Sequence, residues 1–400
     1  MNTQSTMSNN HKGSVIYFDN AATSWPKPPE VGKAMLDYLQ NVGANPGRSG
    51  HTKAVESGQI LFAARVSLAR LFGLNNPMHV IFTSNATEAL NLAIMGVLSK
   101  GDHVITSSME HNSTIRPLHY LEKSGQISLT ILAGDKRGKI SPSQLKDAIT
   151  DQTRAVVINH VSNVNGNTQD LQQLGKICQQ HKLIFIVDAA QSAGILPLHI
   201  AKLKIDLLGF PGHKSLYGPT GTGALLISDD FDLKRIKPLK FGGTGSLSDS
   251  IEQPDFLPDK LESGTLNLAG IAGWQAALEK IFSSADSLDA IQAHKAKLQN
   301  YFLEKMQNQQ IDFEHYNDLK QAAVGVISFN LRGKSVSEVA QKLSDDYGIL
   351  CRHGLHCAPI AHQRLQTFPR GTLRFGFGIY NTLAEIDKAV DALQEIANGS

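Results

Sequence analysis

The feature that most limits the fold of this chain is a regular alternation, between residues 26 and 266, of short apolar runs with longer helical stretches. The apolar runs are residues 79–83, 103–107, 128–132, 155–160, 183–188 and 205–210. Strands of this length that are apolar on both faces and separated by helices are typical of a mostly parallel sheet covered on two sides. The sequence therefore predicts an α/β domain whose ligands bind at the carboxyl ends of the strands.

The pattern changes after Gly264. Long helices are predicted over residues 268–283 and 285–308, and then strands and helices alternate, with strands at 322–330 and 372–376 and helices at 335–347 and 383–397. We expect residues 15–267 to form a large domain around a mostly parallel seven-stranded sheet. Residues 268–400 should form a linking helix and a smaller α+β domain that packs against residues 15–25, and residues 1–14 a disordered leader.

Composition excludes several classes of partner. The 38 basic and 36 acidic residues leave a net charge of +2, which gives no electrostatic reason to bind nucleic acid or a membrane surface. No apolar run approaches the roughly 20 residues of a membrane helix, and the polar leader lacks the apolar centre of a secretory signal. We therefore expect a cytoplasmic protein whose ligand is a small molecule.

A carboxylate and a lysine stand at the ends of two predicted strands. Asp188 ends a buried strand, and Lys214 lies between His213 and a glycine-rich turn that follows the next strand. A desolvated lysine amine can form a Schiff base with a carbonyl, and a carboxylate beside a pyridinium nitrogen is what pyridoxal 5'-phosphate (PLP) chemistry requires. Alone, Asp188 would equally be explained as a helix cap.

Residues 83–90 supply a strand, a turn of small and hydroxyl side chains, and the start of a helix. Free backbone amides and the helix dipole at such an N-terminus suit a phosphate group. Ordinary helix capping explains the same residues, so the segment gains meaning only in combination with Asp188 and Lys214.

With these residues in place, the chain resembles the class V aminotransferase-like PLP enzymes of fold type I, and within them the cysteine desulfurases and selenocysteine lyases. The resemblance covers almost the whole chain and rests on Tyr17-Phe-Asp-Asn-Ala-Ala22, Asn85-Ala-Thr-Glu88, Met109-Glu-His111, His160-Val-Ser-Asn163, Asp188-Ala-Ala-Gln191, Gly212-His-Lys214, Glu262-Ser-Gly-Thr265, Arg352-His-Gly-Leu-His-Cys357 and Arg374-Phe-Gly-Phe-Gly-Ile-Tyr-Asn381.

The resemblance implies a role for each matched residue. Lys214 would be the Schiff-base lysine, Asp188 the partner of the pyridine nitrogen, Gln191 a donor to the ring hydroxyl, and His111 a ring that stacks on the cofactor. Ala86, Thr87 and His213 would bind phosphate, and Thr265 would reach the phosphate of the neighbouring subunit in a homodimer. Asn163 would contact both cofactor and substrate, and Arg374, Arg352 and His51 would bind the substrate.

One position departs from the pattern of many relatives. They carry Ser or Thr two residues before the histidine that here is His213, whereas this chain has Pro211. Proline offers neither a hydroxyl nor an amide hydrogen. One phosphate contact is therefore expected to be missing.

The chain has three cysteines, Cys178, Cys351 and Cys357, an odd number without regular spacing, which argues against a disulfide framework. The segment 351–359 holds two cysteines and two histidines, but no second Cys/His pair with metal-ligand spacing accompanies it, so we expect no metal. Cys351 follows apolar residues and is predicted to be a core side chain. Cys357 lies in a polar turn, where Arg352 and the histidines could raise its thiolate fraction.

The resemblance places Cys357 at the position of the persulfide-forming cysteine in a compact, ordered loop, and it implies a dedicated protein acceptor for the sulfur. The reaction so implied converts L-cysteine to L-alanine: Lys214 takes the Cα proton, and the Cys357 thiolate attacks the substrate sulfur. The alternatives are a lyase acting on L-selenocysteine or cystine, an aminotransferase or epimerase, and a sulfur-carrier or scaffold protein without catalysis. The sequence leaves the acceptor and the preference between sulfur and selenium open.

Overall fold

The computed structural model describes residues 15–46, 50–283, 287–321 and 323–399 of the 400-residue chain. Its strands are β1 (Ile16–Tyr17), β2 (Val80–Thr83), β3 (His103–Ser107), β4 (Ser128–Leu132), β5 (Thr153–Asn159), β6 (Ile184–Asp188), β7 (Leu207–Pro211), β8 (Gly223–Ile227), β9 (Phe313–His315), β10 (Val326–Leu331), β11 (Ile349–Leu350), β12 (Arg352–Gly354) and β13 (Thr372–Gly376). Its α-helices are α1 (Pro29–Asp37), α2 (Thr52–Phe72), α3 (Ala86–Val97), α4 (Asn112–Lys123), α5 (Pro142–Ala148), α6 (Leu171–Gln180), α7 (Ile200–Leu203), α8 (Leu268–Ile281), α9 (Ser287–Asn308), α10 (Val336–Asp345), α11 (Pro359–Arg364) and α12 (Leu383–Asn398). The predicted leader, residues 1–14, lies outside the described residues.

In the described part of the chain, seven strands form the large sheet, in the order β2-β8-β7-β6-β5-β3-β4. The strands from β7 to β4 run parallel, and β8 is antiparallel to both β7 and β2. Every residue of β3, β6, β7 and β8 is buried, because apolar side chains of one strand alternate between two cores. Phe185 and Val187 face one core, and Ile184 and Ile186 face the other. The predicted mostly parallel α/β fold is confirmed.

A second, antiparallel sheet has the order β12-β13-β10-β9. Helices α9, α10 and α12 cover it, and its core contains a cluster of aromatic rings whose closest centroids are 5.0 Å apart. The N-terminal segment joins this part of the molecule: β1 pairs in parallel with β11, and Asp19 forms a bridge to Gly376. The domain limits at 267/268 remain a prediction.

None of the helices in the described ranges combines the length and the apolar character needed to cross a membrane. The architecture instead brings distant segments together at one edge of the large sheet. Asn159 and Asp188 end the neighbouring strands β5 and β6 in register, and the buried Arg374 of β13 hydrogen-bonds the segment that follows β5. The site is built at this junction.

Candidate active site

A pocket of about 210 Å³ lies at the carboxyl ends of the parallel strands. Ten of the residues predicted for the site line it: Ala86, Thr87, His111, Asn163, Asp188, Gln191, His213, Lys214, Arg352 and Arg374. Because these residues come from seven segments spread over almost 290 positions of sequence, only the fold brings them together.

Lys214 follows β7 in a tightly packed segment. Two residues before it, at Gly212, there is no room for a side chain. A Cβ there would lie 2.3 Å from the hydroxyl of Thr222 and 2.9 Å from the Trp274 ring. The backbone beyond it is held from the N-terminal segment: Lys27 Nζ donates to the His213 carbonyl at 2.6 Å, and Ser24 Oγ donates to the Lys214 carbonyl at 2.9 Å. These contacts fix the backbone from which the Lys214 amine projects.

The charge state of Lys214 is shifted towards the neutral amine. The pKa of Lys214 is lowered to about 8, chiefly by desolvation; the positive charges of Arg374 and Arg352 act in the same direction, and the Asp188 carboxylate opposes them. An amine with a pKa near 8 is uncharged in about a tenth of the molecules at pH 7, far more than an ordinary lysine. It can therefore act as a nucleophile and as a proton acceptor.

One carboxyl group, that of Asp188, lines the pocket, and a second, that of Glu110, is buried outside the lining. Asp188 Oδ1 accepts from the Ala190 amide at 2.8 Å, and burial raises the pKa of Asp188 while the Lys214 charge opposes that rise. Glu110 is fully buried, accepts from Ser107 Oγ at 2.5 Å and from the Asn159 amide at 2.9 Å, and burial raises its pKa to about 8. Glu110 is therefore mostly protonated at neutral pH, which leaves Asp188 as the carboxyl group that can pair with a cation in the pocket.

Helix α3 begins at the pocket. Asn85 caps it by accepting from the Glu88 amide at 2.9 Å, and the glycine at position 223 lets β8 pack against the Asn85 backbone, where a Cβ would lie 2.7 Å away. The amides of Ala86 and Thr87 belong to the first turn, so they have no intrahelical acceptor. A helix start of this kind, with free amides that line a pocket, attracts an anion.

His111 caps the neighbouring helix α4. Its Nδ1 accepts from the Ser113 amide at 3.1 Å and lies 2.7 Å from Ser113 Oγ, which in turn lies 2.8 Å from Thr87 Oγ1. Burial lowers the pKa of His111 to about 4, assisted by the positive charge of Lys214. The ring is therefore neutral at neutral pH, and because Nδ1 accepts from an amide, the hydrogen is on Nε2.

Arg374 and Asn163 form one side of the pocket. Arg374 is 2% exposed and donates from Nη1 to the Asn163 carbonyl and from Nη2 to Asp19, both at 2.9 Å. Within the described residues, Arg374 Nε and Asn163 Oδ1 are buried without a hydrogen-bond partner. Buried polar atoms are normally paired, so both atoms are available to a ligand. Gln191 Nε2 donates to the Ala21 carbonyl at 2.9 Å.

The thiol of Cys357 is exposed beside the pocket. Arg352, which lines the pocket, places Nη2 3.7 Å from Cys357 Sγ. The histidine next to it in the chain contributes no charge, because burial lowers the pKa of His356 well below its ordinary value. The expectation that the histidines supply positive charge to the thiol is therefore wrong for His356, which leaves Arg352 as the cation observed against the sulfur.

The other two cysteines differ from Cys357. Cys178 is buried in the core of the large sheet. Cys351 is partly buried, packs against the core of the smaller sheet, and has its pKa raised to about 12, chiefly by burial. In the part of the chain that the structure describes, no three His, Cys, Asp or Glu side chains are grouped so as to hold a metal ion.

Besides Cys357, which lies beside the pocket, two predicted residues do not line it. His51 is exposed and caps helix α2, where its Nδ1 accepts from the Ala54 amide at 3.2 Å. Thr265 lines a separate cavity of about 590 Å³, next to a buried ion pair in which Glu262 accepts from Arg65 Nη1 at 2.9 Å and from Nη2 at 2.6 Å. The same carboxylate accepts from the Phe82 amide.

Sequence reasoning missed several residues of the site. Ser113 links Thr87 to His111, Asn159 ends β5 in the pocket lining, and Asp19 holds Arg374. Asn159 could have been found, because it occupies the carboxyl end of a buried strand. Ser24 and Lys27 left no such signal, since they act on backbone carbonyls.

The pocket fits PLP on features of this chain alone. A phosphate suits the start of α3, and a pyridinium nitrogen suits the buried carboxylate of Asp188. The neutral His111 ring and the partly neutral Lys214 amine lie in the same pocket. Pro211 also lines it and brings no hydroxyl, as expected from its sequence.

Comparisons with known proteins agree with this geometry. Residues 16–389 match the family model described as aminotransferase class-V. The chain is 33% identical to a probable cysteine desulfurase of Methanothermobacter thermautotrophicus over 96% of this chain and 94% of the relative. It is 30% identical to the cysteine desulfurase IscS of Dictyoglomus turgidum over 95% and 94%.

Solved structures give the same result. The apo structure of the cysteine desulfurase from Thermococcus onnurineus has a TM-score of 0.89 and 32% identity, covering 96% of this chain and 95% of that one. The Escherichia coli cysteine desulfurase CsdA has a TM-score of 0.84 and 28% identity, with 95% and 94% covered.

Proposed function

This chain belongs to the aminotransferase class-V family, and on that premise we propose that it is a PLP-dependent cysteine desulfurase. It converts L-cysteine to L-alanine and receives the sulfur on Cys357 as a persulfide. The observation that carries the proposal is the contact between Arg352 and Cys357: a cation that lines the cofactor pocket also lies 3.7 Å from an exposed thiol. An aminotransferase has no use for a thiol at this place.

The cofactor would be held by the residues that the pocket gathers. Lys214 would hold it covalently, Asp188 would pair with its ring nitrogen, and the start of α3 with Ala86 and Thr87 would take its phosphate. His111, Gln191 and His213 would complete the contacts. When bound, the cofactor supplies an electron sink for the charge that develops at the substrate Cα.

The side chains of this chain perform the remaining tasks. Arg374 binds the substrate carboxylate with its free guanidinium hydrogens while Asp19 and the Asn163 carbonyl fix its position. The Lys214 amine accepts the Cα proton, because its pKa of about 8 makes it a base near neutral pH. The Arg352 guanidinium lies 3.7 Å from the Cys357 sulfur, which is the atom that attacks the substrate sulfur.

The sulfur transfer balances without an external oxidant. The Cys357 thiolate attacks the substrate sulfur, an S–S bond forms, and the Cβ–S bond breaks. The electron pair of that bond stays with carbon, and Cβ takes up a proton to become the methyl group of alanine. One thiol and one cysteine thus give one persulfide and one alanine.

We also propose a homodimer and a protein acceptor for the persulfide sulfur. Thr265 lines the 590 Å³ cavity and not the cofactor pocket of its own chain, which supports a role in the pocket of a second copy. The exposure of Cys357 supports direct access for an acceptor.

The deciding experiment incubates the purified holoenzyme with L-cysteine and follows alanine, sulfide and Cys357-bound persulfide together. We expect alanine and Cys357 persulfide in equal amounts in the first turnover without reductant. Pyruvate in place of alanine, or alanine formed by Cys357→Ala at the wild-type rate, would contradict the proposal and favour a lyase. Parallel runs with L-selenocysteine and cystine identify the preferred substrate.

A further inference from the structure

Asn163 makes two contacts with different parts of the proposed chemistry. Its carbonyl accepts from Arg374 Nη1 at 2.9 Å, and its side-chain Nδ2 donates to the His356 carbonyl at 2.7 Å. A carbonyl can only accept, so the amide nitrogen must face His356. This orientation leaves Oδ1 buried and unpaired among the described residues that line the pocket.

The turn that Asn163 holds has an unusual backbone. His356 and Cys357 are consecutive non-glycine residues with φ angles of +47° and +57°. Left-handed backbone is rarely adopted by such residues and persists only where neighbouring contacts enforce it. The turn therefore needs to be held from outside.

Three contacts enforce this conformation. Asn163 binds the His356 carbonyl, the Asn112 amide at the start of α4 donates to the Cys357 carbonyl at 2.8 Å, and the His356 ring lies 3.0 Å from Thr372 Oγ1. Of these, the Asn163 contact is the one that joins the turn to a residue whose own carbonyl holds Arg374. The thiol and the substrate-binding guanidinium are thus attached to the same residue.

We propose that Asn163 is a positioning residue for the Cys357 thiol, in addition to any contact it makes with cofactor or substrate. Its carboxamide keeps the left-handed turn 356–357 against the pocket, so that the thiol is already in place when the substrate sulfur arrives. The inference rests on the proposed function, and it predicts that sulfur transfer depends on Asn163 more strongly than Cα proton removal does.

The first test needs no activity. Amide hydrogen exchange of the segment 354–362 is measured in cofactor-free protein for wild type, Asn163→Ala, Asn163→Asp and the control Gln191→Ala. Gln191 is also a buried carboxamide of the pocket, but it donates to Ala21 and not to the thiol turn. We expect exchange about tenfold faster in both Asn163 variants, the effect of losing one buried hydrogen bond, and no change in the control.

The second test separates the two steps in the holoenzyme. Exchange of the substrate Cα hydrogen with D₂O and single-turnover formation of Cys357 persulfide are measured at saturating L-cysteine. We expect Asn163→Asp, which keeps the shape and the Oδ1 atom, to slow persulfide formation by roughly 100-fold, the effect of a misplaced reacting group. Cα exchange should stay within a few-fold of wild type.

Unchanged hydrogen exchange in both Asn163 variants, or a parallel fall of the two rates, would overturn the proposal. Failure of the proposed function gives a different result, because the wild-type enzyme itself would then form no persulfide. In that case the amide hydrogen exchange experiment alone would decide whether Asn163 holds the turn. If Asn163→Ala does not fold, Asn163→Asp decides both measurements.

Discussion

Replacing Glu262 with glutamine should destabilise the protein more than any exposed charge substitution. The Glu262 and Arg65 side chains are 6% and 4% exposed and meet through two hydrogen bonds of 2.6 and 2.9 Å, and Glu262 also accepts from the Phe82 amide. Removing one partner of a buried ion pair leaves an unpaired charge, which costs about 3–5 kcal/mol. With an unfolding entropy of about 0.8 kcal/mol/K for a chain of this size, the thermal midpoint should fall by about 4–6 °C.

The assay is thermal unfolding of the cofactor-free protein by circular dichroism. The matched control is Glu56→Gln, which breaks an exposed pair with Lys53 at 3.0 Å and should change the midpoint by less than about 1 °C. The double variant Arg65→Met/Glu262→Gln keeps an oxygen for the Phe82 amide and removes the unpaired guanidinium. It should therefore be less destabilised than the sum of its two single changes. A Glu262→Gln midpoint equal to that of Glu56→Gln would refute the reasoning.

Three further predictions follow from the site. In cofactor-free protein, labelling of Lys214 by pyridoxal and borohydride should rise with pH with a midpoint near 8, because the folded site keeps the amine neutral between about pH 8 and the pKa of 10.5 of an ordinary lysine. Asp188→Asn should lower that midpoint, since the Asp188 carboxylate opposes the fall in the Lys214 pKa. A midpoint near 10.5 would contradict the assignment. Cys357→Ala should keep the cofactor spectrum but form no persulfide and little alanine. Cys351→Ala should still form persulfide and alanine and should lose about 1 kcal/mol of stability, measured by denaturant unfolding. The reverse result would identify Cys351 as the nucleophile. Co-expressed Lys214→Ala and Thr265→Ala chains should regain about a quarter of wild-type activity, because random pairing makes half of the dimers mixed and each mixed dimer has one intact site. If no activity is recovered, Thr265 acts in the pocket of its own chain.

The sequence predicted the strands of the large sheet well where a distinct apolar run marks them. Strands β3 and β4 occupy the predicted residues 103–107 and 128–132, and the others differ by a few residues at their ends. Strand β8 was not among the apolar runs used for the prediction, because its five residues directly follow a glycine-rich turn that conceals a short buried strand. Its antiparallel direction also depends on pairing with β2, which lies about 140 residues earlier.

The candidate site was predictable where chemistry coincides with the end of a strand. Asp188 and Lys214 are examples, since parallel strands place their carboxyl ends at one edge. The hydrogen bond from Lys27 to the His213 carbonyl was not predictable, because it joins residues 186 positions apart and its acceptor is a backbone atom that every residue possesses. The charge state of His356 was also hidden, since it depends on burial by side chains distant in sequence.

The ion pair between Asp19 and Arg374 spans 355 residues, nearly the full length of the chain. The Arg374 guanidinium therefore lacks this carboxylate partner until the last strand of the smaller sheet has been synthesised and has met the segment that contains Asp19. Closing a loop of this length carries a larger entropy loss than closing the short loops between neighbouring elements. A nascent chain that ends before β13 would thus lack Arg374 and the side of the pocket that Arg374 forms with Asn163, so the pocket is closed on that side only once β13 has joined the smaller sheet.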